Sequence, residues 1–222
     1  MCADDSLKLK AAGTATVGTV RREWGSVQEI PVAAVVLAAG VSRRMGAENK
    51  LLRKIGGQPM VRWVVEAALA SRARPVIVVT GHEADGVRQA LDGINVRFAD
   101  NPQFEYGLST SVRAGVDRVP AGCAGALMLL GDMPRITDNI IDALIDGFRK
   151  HGGCAVCVPV CAGRRGNPVL WPRELFPDMM RLSGDVGARG LLKRHQARIE
   201  DIVLDSTSIF LDVDTPDDLK ML

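Results

Sequence analysis

The chain has 222 residues, 47% hydrophobic, 24% charged and 4% aromatic, with a formal net charge of +2. That balance describes one large globular domain, or a domain with an appendage, and excludes the strongly basic profile of a nucleic-acid binder. No apolar stretch approaches the roughly 18–20 residues of a membrane span, and a core this poor in aromatics must be built from Val, Leu, Ile, Ala and Met.

Met1 to Pro31 carries Gly, Thr, Ala and mixed charges but no apolar run, so residues 1–31 read as a flexible extension with Trp24 a candidate to dock on the domain. No secretory h-region is visible, which makes a cytoplasmic location the expectation. A domain over residues 32–222 follows. Val32 to Leu37 is rich in β-branched residues and too short for a helix, so it reads as a central parallel strand. It runs into Ala38-Ala39-Gly40-Val41-Ser42-Arg43-Arg44-Met45-Gly46, closed by Lys50. The small residues allow a close backbone approach, and Gly40 and Gly46 open φ angles closed to other residues. Arg44 and Lys50 supply fixed positive charge suited to phosphate oxygens, with Arg43 as a solvated neighbour. Together these describe a triphosphate cradle. The loop has neither the G-x-x-x-x-G-K-[ST] spacing of a P-loop nor the G-x-G-x-x-G of a dinucleotide fold.

An amphipathic helix is expected over Gln58 to Ser71, a buried strand over Val76 to Thr80, a loop at Gly81-His82-Glu83 and a helix near Ala84 to Leu91. A short strand at Val96 to Ala99 precedes a helix over Ser109 to Arg118, with Ser109 as its N-cap. Ala126 to Leu130 is another strand and ends in Gly131-Asp132-Met133-Pro134. Thr137 to His151 reads as a long helix capped by Thr137 and stopped by Gly152-Gly153. This alternation predicts an α/β, Rossmann-like fold, a mostly parallel sheet with helices on both faces. Ligands in such sheets bind beyond the carboxyl ends of the strands. Ala38 to Gly46, Gly81-His82 and Gly131 to Pro134 therefore share one rim.

Beyond Val160 the pattern loosens into a smaller lid or acceptor subregion. A turn-rich loop over Cys161 to Pro168 precedes a strand at Val169 to Trp171, a helix around Arg173 to Met180 and another at Leu191 to His195. Strands are expected at Ile199 to Leu204 and Ile209 to Val213, then a helix capped by Thr215 with Pro216 at N1. Cys154, Cys157 and Cys161 have metal-like spacing. They fall on and beside an apolar strand, where residues three apart face opposite ways, so they read as core thiols.

Asp132 directly follows an apolar strand on the functional rim. Asp favours turns, but a carboxylate facing a polyphosphate cradle also supplies what Mg²⁺ prefers: carboxylate oxygen, waters and substrate phosphates. Asp214 is the candidate second ligand, and Asp212 competes with it from the same strand face. Ser111 and Asp185, each at the start of an expected helix, are candidate capping residues.

Leu37-Ala38-Ala39-Gly40 through Ser42, Arg44-Met45-Gly46 and Lys50 resembles the signature L-A-A-G-x-S-x-R-M-G-x-x-x-K of nucleotidyltransferases that make molybdenum-cofactor dinucleotides, in particular the molybdenum cofactor cytidylyltransferases. Gly107-Leu108-Ser109-Thr110-Ser111-Val112-Arg113, Gly131-Asp132-Met133-Pro134, Arg165-Gly166-Asn167-Pro168, Gly184 to Arg189 and Asp214-Thr215-Pro216 are similar to that family's other motifs, in the same order. The resemblance spans about Val32 to Leu222. It implies transfer of CMP from CTP to molybdenum-molybdopterin with release of pyrophosphate, and Mg²⁺ held by Asp132 and Asp214. Arg44 and Lys50 hold the triphosphate, Leu37, Ala38, Ala39, Gly40 and Ser111 line the nucleotide, and Arg165, Asn167, Asp185 and Arg189 meet the acceptor. It further implies onward transfer to a molybdoenzyme or its chaperone. The family's guanylyltransferases usually read L-A-G-G, so Ala39 favours CTP. Three alternatives stay open: the same reaction with GTP, another phosphorylated acceptor such as a sugar phosphate, and a non-catalytic cofactor-delivery protein.

Overall fold

The computed structural model of the chain describes residues 30–41, 49–185, 187–213 and 218. Within the expected extension only Ile30 and Pro31 are described. Arg43, Arg44, Asp214 and Thr215 lie outside the described residues.

In chain order, β1 (Val32–Ala38) is followed by the hairpin β2 (Lys54–Ile55) and β3 (Gln58–Pro59), α1 (Met60–Ala70), β4 (Val76–Thr80) and α2 (Ala84–Ala90). Next come β5 (Arg97–Asp100), α3 (Leu108–Asp117), β6 (Gly125–Leu130), α4 (Asp138–Lys150), β7 (Val156–Cys161) and β8 (Arg164–Arg165). β9 (Val169–Pro172), α5 (Phe176–Met179), α6 (Arg189–Arg194) and β10 (Ile199–Val203) complete the regular elements. The main sheet runs β10-β7-β9-β6-β1-β4-β5, with β8 added to β7.

β1 is apolar at every position because both of its faces are covered. Val32, Ala34, Val36 and Ala38 join the core under α1 and α4. Ala33, Val35 and Leu37 join the opposite core, with Val112 and Val116 of α3 and Phe176 and Met179 of α5. Each fully buried Val or Leu contributes about 1.5–3 kcal/mol, so packing rather than strand propensity fixes β1 at the centre.

β1 pairs in parallel with β4 and with β6, and Leu37 lies opposite Leu130. The chain leaves β1 toward β4 and β5, then returns to β6 on the other side. The crevice beyond β1 and β6 is therefore the topological switch point, where open α/β sheets bind ligands.

Several boundaries differ from the sequence reading. α1 begins at Met60 because Gln58 and Pro59 pair with Ile55 and Lys54 in the hairpin. Ser109 is not the cap of α3; Gly107 is, and Ser109 lies inside the helix with its side chain fully buried. β9 runs antiparallel to β6 and β7, a direction its apolar sequence does not encode. Ile209 to Val213 is not a strand: Thr207–Phe210 is a 3₁₀ turn capped by Ser206. Thr137 does cap α4, its side chain accepting from the Ile140 N–H at 3.4 Å. Cys157 and Cys161 are buried and Cys154 is exposed. Burial pushes the Cys157 thiol up to about 12, and no metal-holding cluster of His, Cys, Asp or Glu occurs among the described residues. No described helix is long and apolar enough to cross a membrane.

Candidate functional site

A cavity of about 370 Å³ opens at the switch point, between the loop after β1 and the loop after β6. Leu37, Ala39 and Gly40 form one wall, with Lys50 and Asp132 beside them. The backbone explains the convergence. The Gly131 N–H donates to the Leu37 carbonyl at 3.0 Å, and a Cβ at Gly131 would stand only 2.9 Å from that oxygen. Glycine lets the end of β6 close on β1 and deliver Asp132 to the rim.

Lys50 arrives from the other side on a 3₁₀ turn over Lys50–Leu52. Asn49, 2% exposed, caps that turn: its Oδ1 accepts from the Leu51 N–H at 3.1 Å. Its Nδ2 donates to the His82 carbonyl at 3.4 Å, tying the turn to the loop after β4. The sequence reading passed over Asn49, although an Asn ahead of a turn is an ordinary capping signal.

Lys50 Nζ lies 2.7 Å from Asp132 Oδ2, with side-chain exposures of 13% and 19%. The other carboxylate oxygen, Oδ1, is covered and has no hydrogen-bond partner among the described residues. Burial pushes the Asp132 carboxyl above its ordinary value; Lys50 opposes this and the nearby Asp212 charge adds to it. A covered, unpartnered carboxylate oxygen at the edge of a cavity is what a hard divalent cation takes as a ligand. The residues present therefore fit such an ion. The expected second ligand, Asp214, lies outside the described residues. Its neighbour Val213 donates its N–H to the Asp132 carbonyl at 2.9 Å.

The far wall of the cavity is the start of α3. Gly107 has φ 101°, and a Cβ there would lie 2.6 Å from both the Gly184 carbonyl carbon and Asp185 Oδ1. Only glycine allows the 184–185 segment this close. Ser111 lines the cavity, and its Oγ accepts from Asn101 Nδ2 at 3.0 Å. That leaves the hydroxyl proton as the group to donate. Asn101 is 3% exposed and also donates to Thr110 Oγ1 at 2.8 Å, so the Ser111 side chain is held in place.

A second cavity of about 260 Å³ shares Leu37, Leu108, Leu130 and Asp185 with the first. Its surface is formed by Val112, Met128, Val169 and Trp171, with Asn167, Asp185 and Asp212 as polar groups. The Trp171 Nε1–H is buried with no hydrogen-bond partner among the described residues.

The structure thus brings together Leu37, Ala39, Gly40, Lys50, Ser111, Asp132, Asn167 and Asp185 around two adjoining cavities. Ala38 faces the core behind them. Arg165 lines neither cavity. Its guanidinium forks onto Asp201 of β10, at 2.7 and 3.0 Å, so its charge is met there rather than offered to a ligand. Arg189 opens α6 just after Gly187 and Ala188, which line the second cavity. Arg44 falls outside the described residues.

Residues 34–199 match the family described as MobA-like NTP transferase domain. The bifunctional protein GlmU of Sorangium cellulosum is 36% identical over 140 residues, covering 60% of this chain and 29% of that protein. The chain spans about a quarter to a third of the length of the curated relatives it matches. Among solved structures, an Rv0371c homolog from Mycobacterium sp. strain JC1 superimposes with a TM-score of 0.76 at 30% identity, over 86% of this chain and 93% of that one. Rv0371c of Mycobacterium tuberculosis H37Rv, in complex with manganese, gives 0.72 at 27% identity, over 86% and 97%.

Proposed function

The chain belongs to the MobA-like NTP transferase domain family, and we propose that it transfers CMP from CTP to molybdenum-molybdopterin, releasing pyrophosphate. The observation that carries this reading is the Lys50–Asp132 pair lining the larger of the two cavities, with one carboxylate oxygen left without a hydrogen-bond partner among the described residues.

In this reading CTP occupies the larger cavity, its base and ribose against the backbone of Leu37 to Gly40 and the Ser111 hydroxyl. Lys50, with Arg44, holds the triphosphate and offsets the charge that gathers on the leaving pyrophosphate. Asp132 and Asp214 would hold Mg²⁺, which supplies Lewis-acid polarisation of the α-phosphate when bound. An acceptor oxygen attacks the α-phosphorus as the bond to the β-phosphate oxygen breaks. The protein contributes alignment and charge, and no side chain needs to become a nucleophile.

The second cavity is proposed to seat the acceptor. Its apolar faces and Trp171, edged by Asn167, Asp185 and Asp212, suit a flat heterocycle with N–H donors, as a pterin has. Arg189 is proposed to meet the acceptor's anionic end, and Arg165 is left to Asp201. Delivery of the product to a molybdoenzyme or its chaperone belongs to the same reading.

The likeness to GlmU favours a second reading, in which the same transfer goes to a sugar phosphate. Incubating the protein with CTP and Mg²⁺, and either molybdenum-molybdopterin or a sugar 1-phosphate, separates the two by the mass of the product. A cytosine dinucleotide is expected; a nucleotide sugar as the sole product overturns the acceptor assignment.

A further inference from the structure

The cation that holds Asp132 in this structure is Lys50, the residue proposed to hold the triphosphate. Only one Asp132 oxygen is paired, and its partner is an ammonium 2.7 Å away. A divalent ion on the same carboxylate would stand within a few ångströms of that ammonium, and at such separations like charges repel strongly in a covered site. The two cations therefore compete for one carboxylate. A triphosphate offers anionic oxygens to both, so its arrival lets the two cations share the site.

The local architecture suits such an exchange. Asn49 fixes the backbone of the Lys50 turn through Leu51 and His82, so the ammonium moves on its own stem while its Cα stays in place. Lysine is a point charge on a flexible four-carbon chain, whereas a forked arginine–carboxylate pair is tied by its geometry. The Asp132 backbone is anchored by Val213, and its second carboxylate oxygen has no hydrogen-bond partner among the described residues.

We infer that Lys50 is a place-holding counter-ion: it occupies Asp132 in the empty protein, suppresses binding of a divalent metal by itself, and passes from the carboxylate to the triphosphate when nucleotide binds. This rests on the nucleotidyl-transfer reading and adds a coupling between the metal and nucleotide sites. The metal ion is then admitted together with CTP rather than before it. Such coupling is reciprocal for the two ligands.

The test is a titration of the full chain with Mn²⁺ alone, read by the loss of the free-ion electron paramagnetic resonance signal. Wild type is compared with Lys50→Met and Lys50→Gln, and each with its Asp132→Asn double variant. Melting with and without Mn²⁺ reports that each variant folds. Removing the competing ammonium should tighten Mn²⁺ binding by about tenfold or more in both Lys50 variants, and should enlarge the rise in melting temperature that Mn²⁺ produces. The double variants should lose that gain. Unchanged Mn²⁺ affinity in folded Lys50 variants, with binding still lost on Asp132→Asn, overturns the exchange but keeps Asp132 as a ligand. Mn²⁺ binding that ignores Asp132→Asn overturns the metal assignment itself.

Discussion

The main-chain N–H of Val213 donates to the carbonyl of Asp132 at 2.9 Å, fastening the segment before residue 214 to the loop that carries the Asp132 carboxylate. From the other side, Asn167 donates its N–H to Ile209 at 3.0 Å, and the Arg164 guanidinium sits 4.6 Å over the Phe210 ring. The segment before Asp214 is therefore held between β6 and the loop after β8. That arrangement brings the Asp212 charge within reach of Asp132.

Two glycines set the width of the site, and their substitution should differ in severity. Gly107→Ala adds a methyl at φ 101° against the Gly184 backbone at 2.6 Å. We expect a loss of about 2–4 kcal/mol and a raised KM for nucleotide. Gly131→Ala meets the Leu37 carbonyl at 2.9 Å and the Leu51 methyls at an ordinary 3.4 Å, and should cost about 1–2 kcal/mol. Urea unfolding of the two variants checks the order.

Burial holds the Asp132 carboxyl above its ordinary value. Between that ordinary value and the raised one, the folded chain binds more protons than the unfolded chain. This group's contribution to the metal-free fold is thus full at low pH and is lost as pH rises through the window. Metal needs the ionised carboxylate, so Mn²⁺ affinity should begin to fall, on acidification, at a pH above the usual carboxylate range of about 4. Asp132→Asn should remove that pH dependence along with the binding. A titration series between about pH 4 and 8 reads it.

The sheet and the position of Asp132 were legible because they rest on periodicity. β1 is apolar throughout only because it is covered on both faces, and Asp132 is the first ionisable residue after β6. The cap of α3 was misread as Ser109 because the positive φ of Gly107 starts the helix one residue earlier. Arg165 looked available because a sequence does not show that β10 places Asp201 across from it. Cavities are equally hidden: nothing in the sequence shows that Trp171 and Asn167 line one cavity, or that the indole N–H has no partner among the described residues.

Trp171→Phe removes volume from the second cavity without removing a protein hydrogen bond from the indole nitrogen. The stability loss should be modest, about 1–2 kcal/mol. Steady-state kinetics should show KM for the acceptor rising by about fivefold or more, with KM for CTP moving less than about twofold.

The fork of Arg165 onto Asp201 joins two half-exposed side chains, 40% and 44% accessible. Solvent screening limits such a pair to less than about 1 kcal/mol. Arg165→Gln should therefore lower stability slightly and leave KM for the acceptor within about twofold of wild type. A large rise in that KM would place Arg165 on the acceptor after all.

The most direct test of the central claim is pyrophosphate release by the purified protein with Mg²⁺ and molybdenum-molybdopterin, comparing CTP, GTP, ATP and UTP in parallel, for wild type and Asp132→Ala. Turnover with CTP is expected, lowered by about a hundredfold or more in the variant. Turnover with GTP alone would contradict the reading of Ala39, and equal turnover in the Asp132 variant would contradict the site.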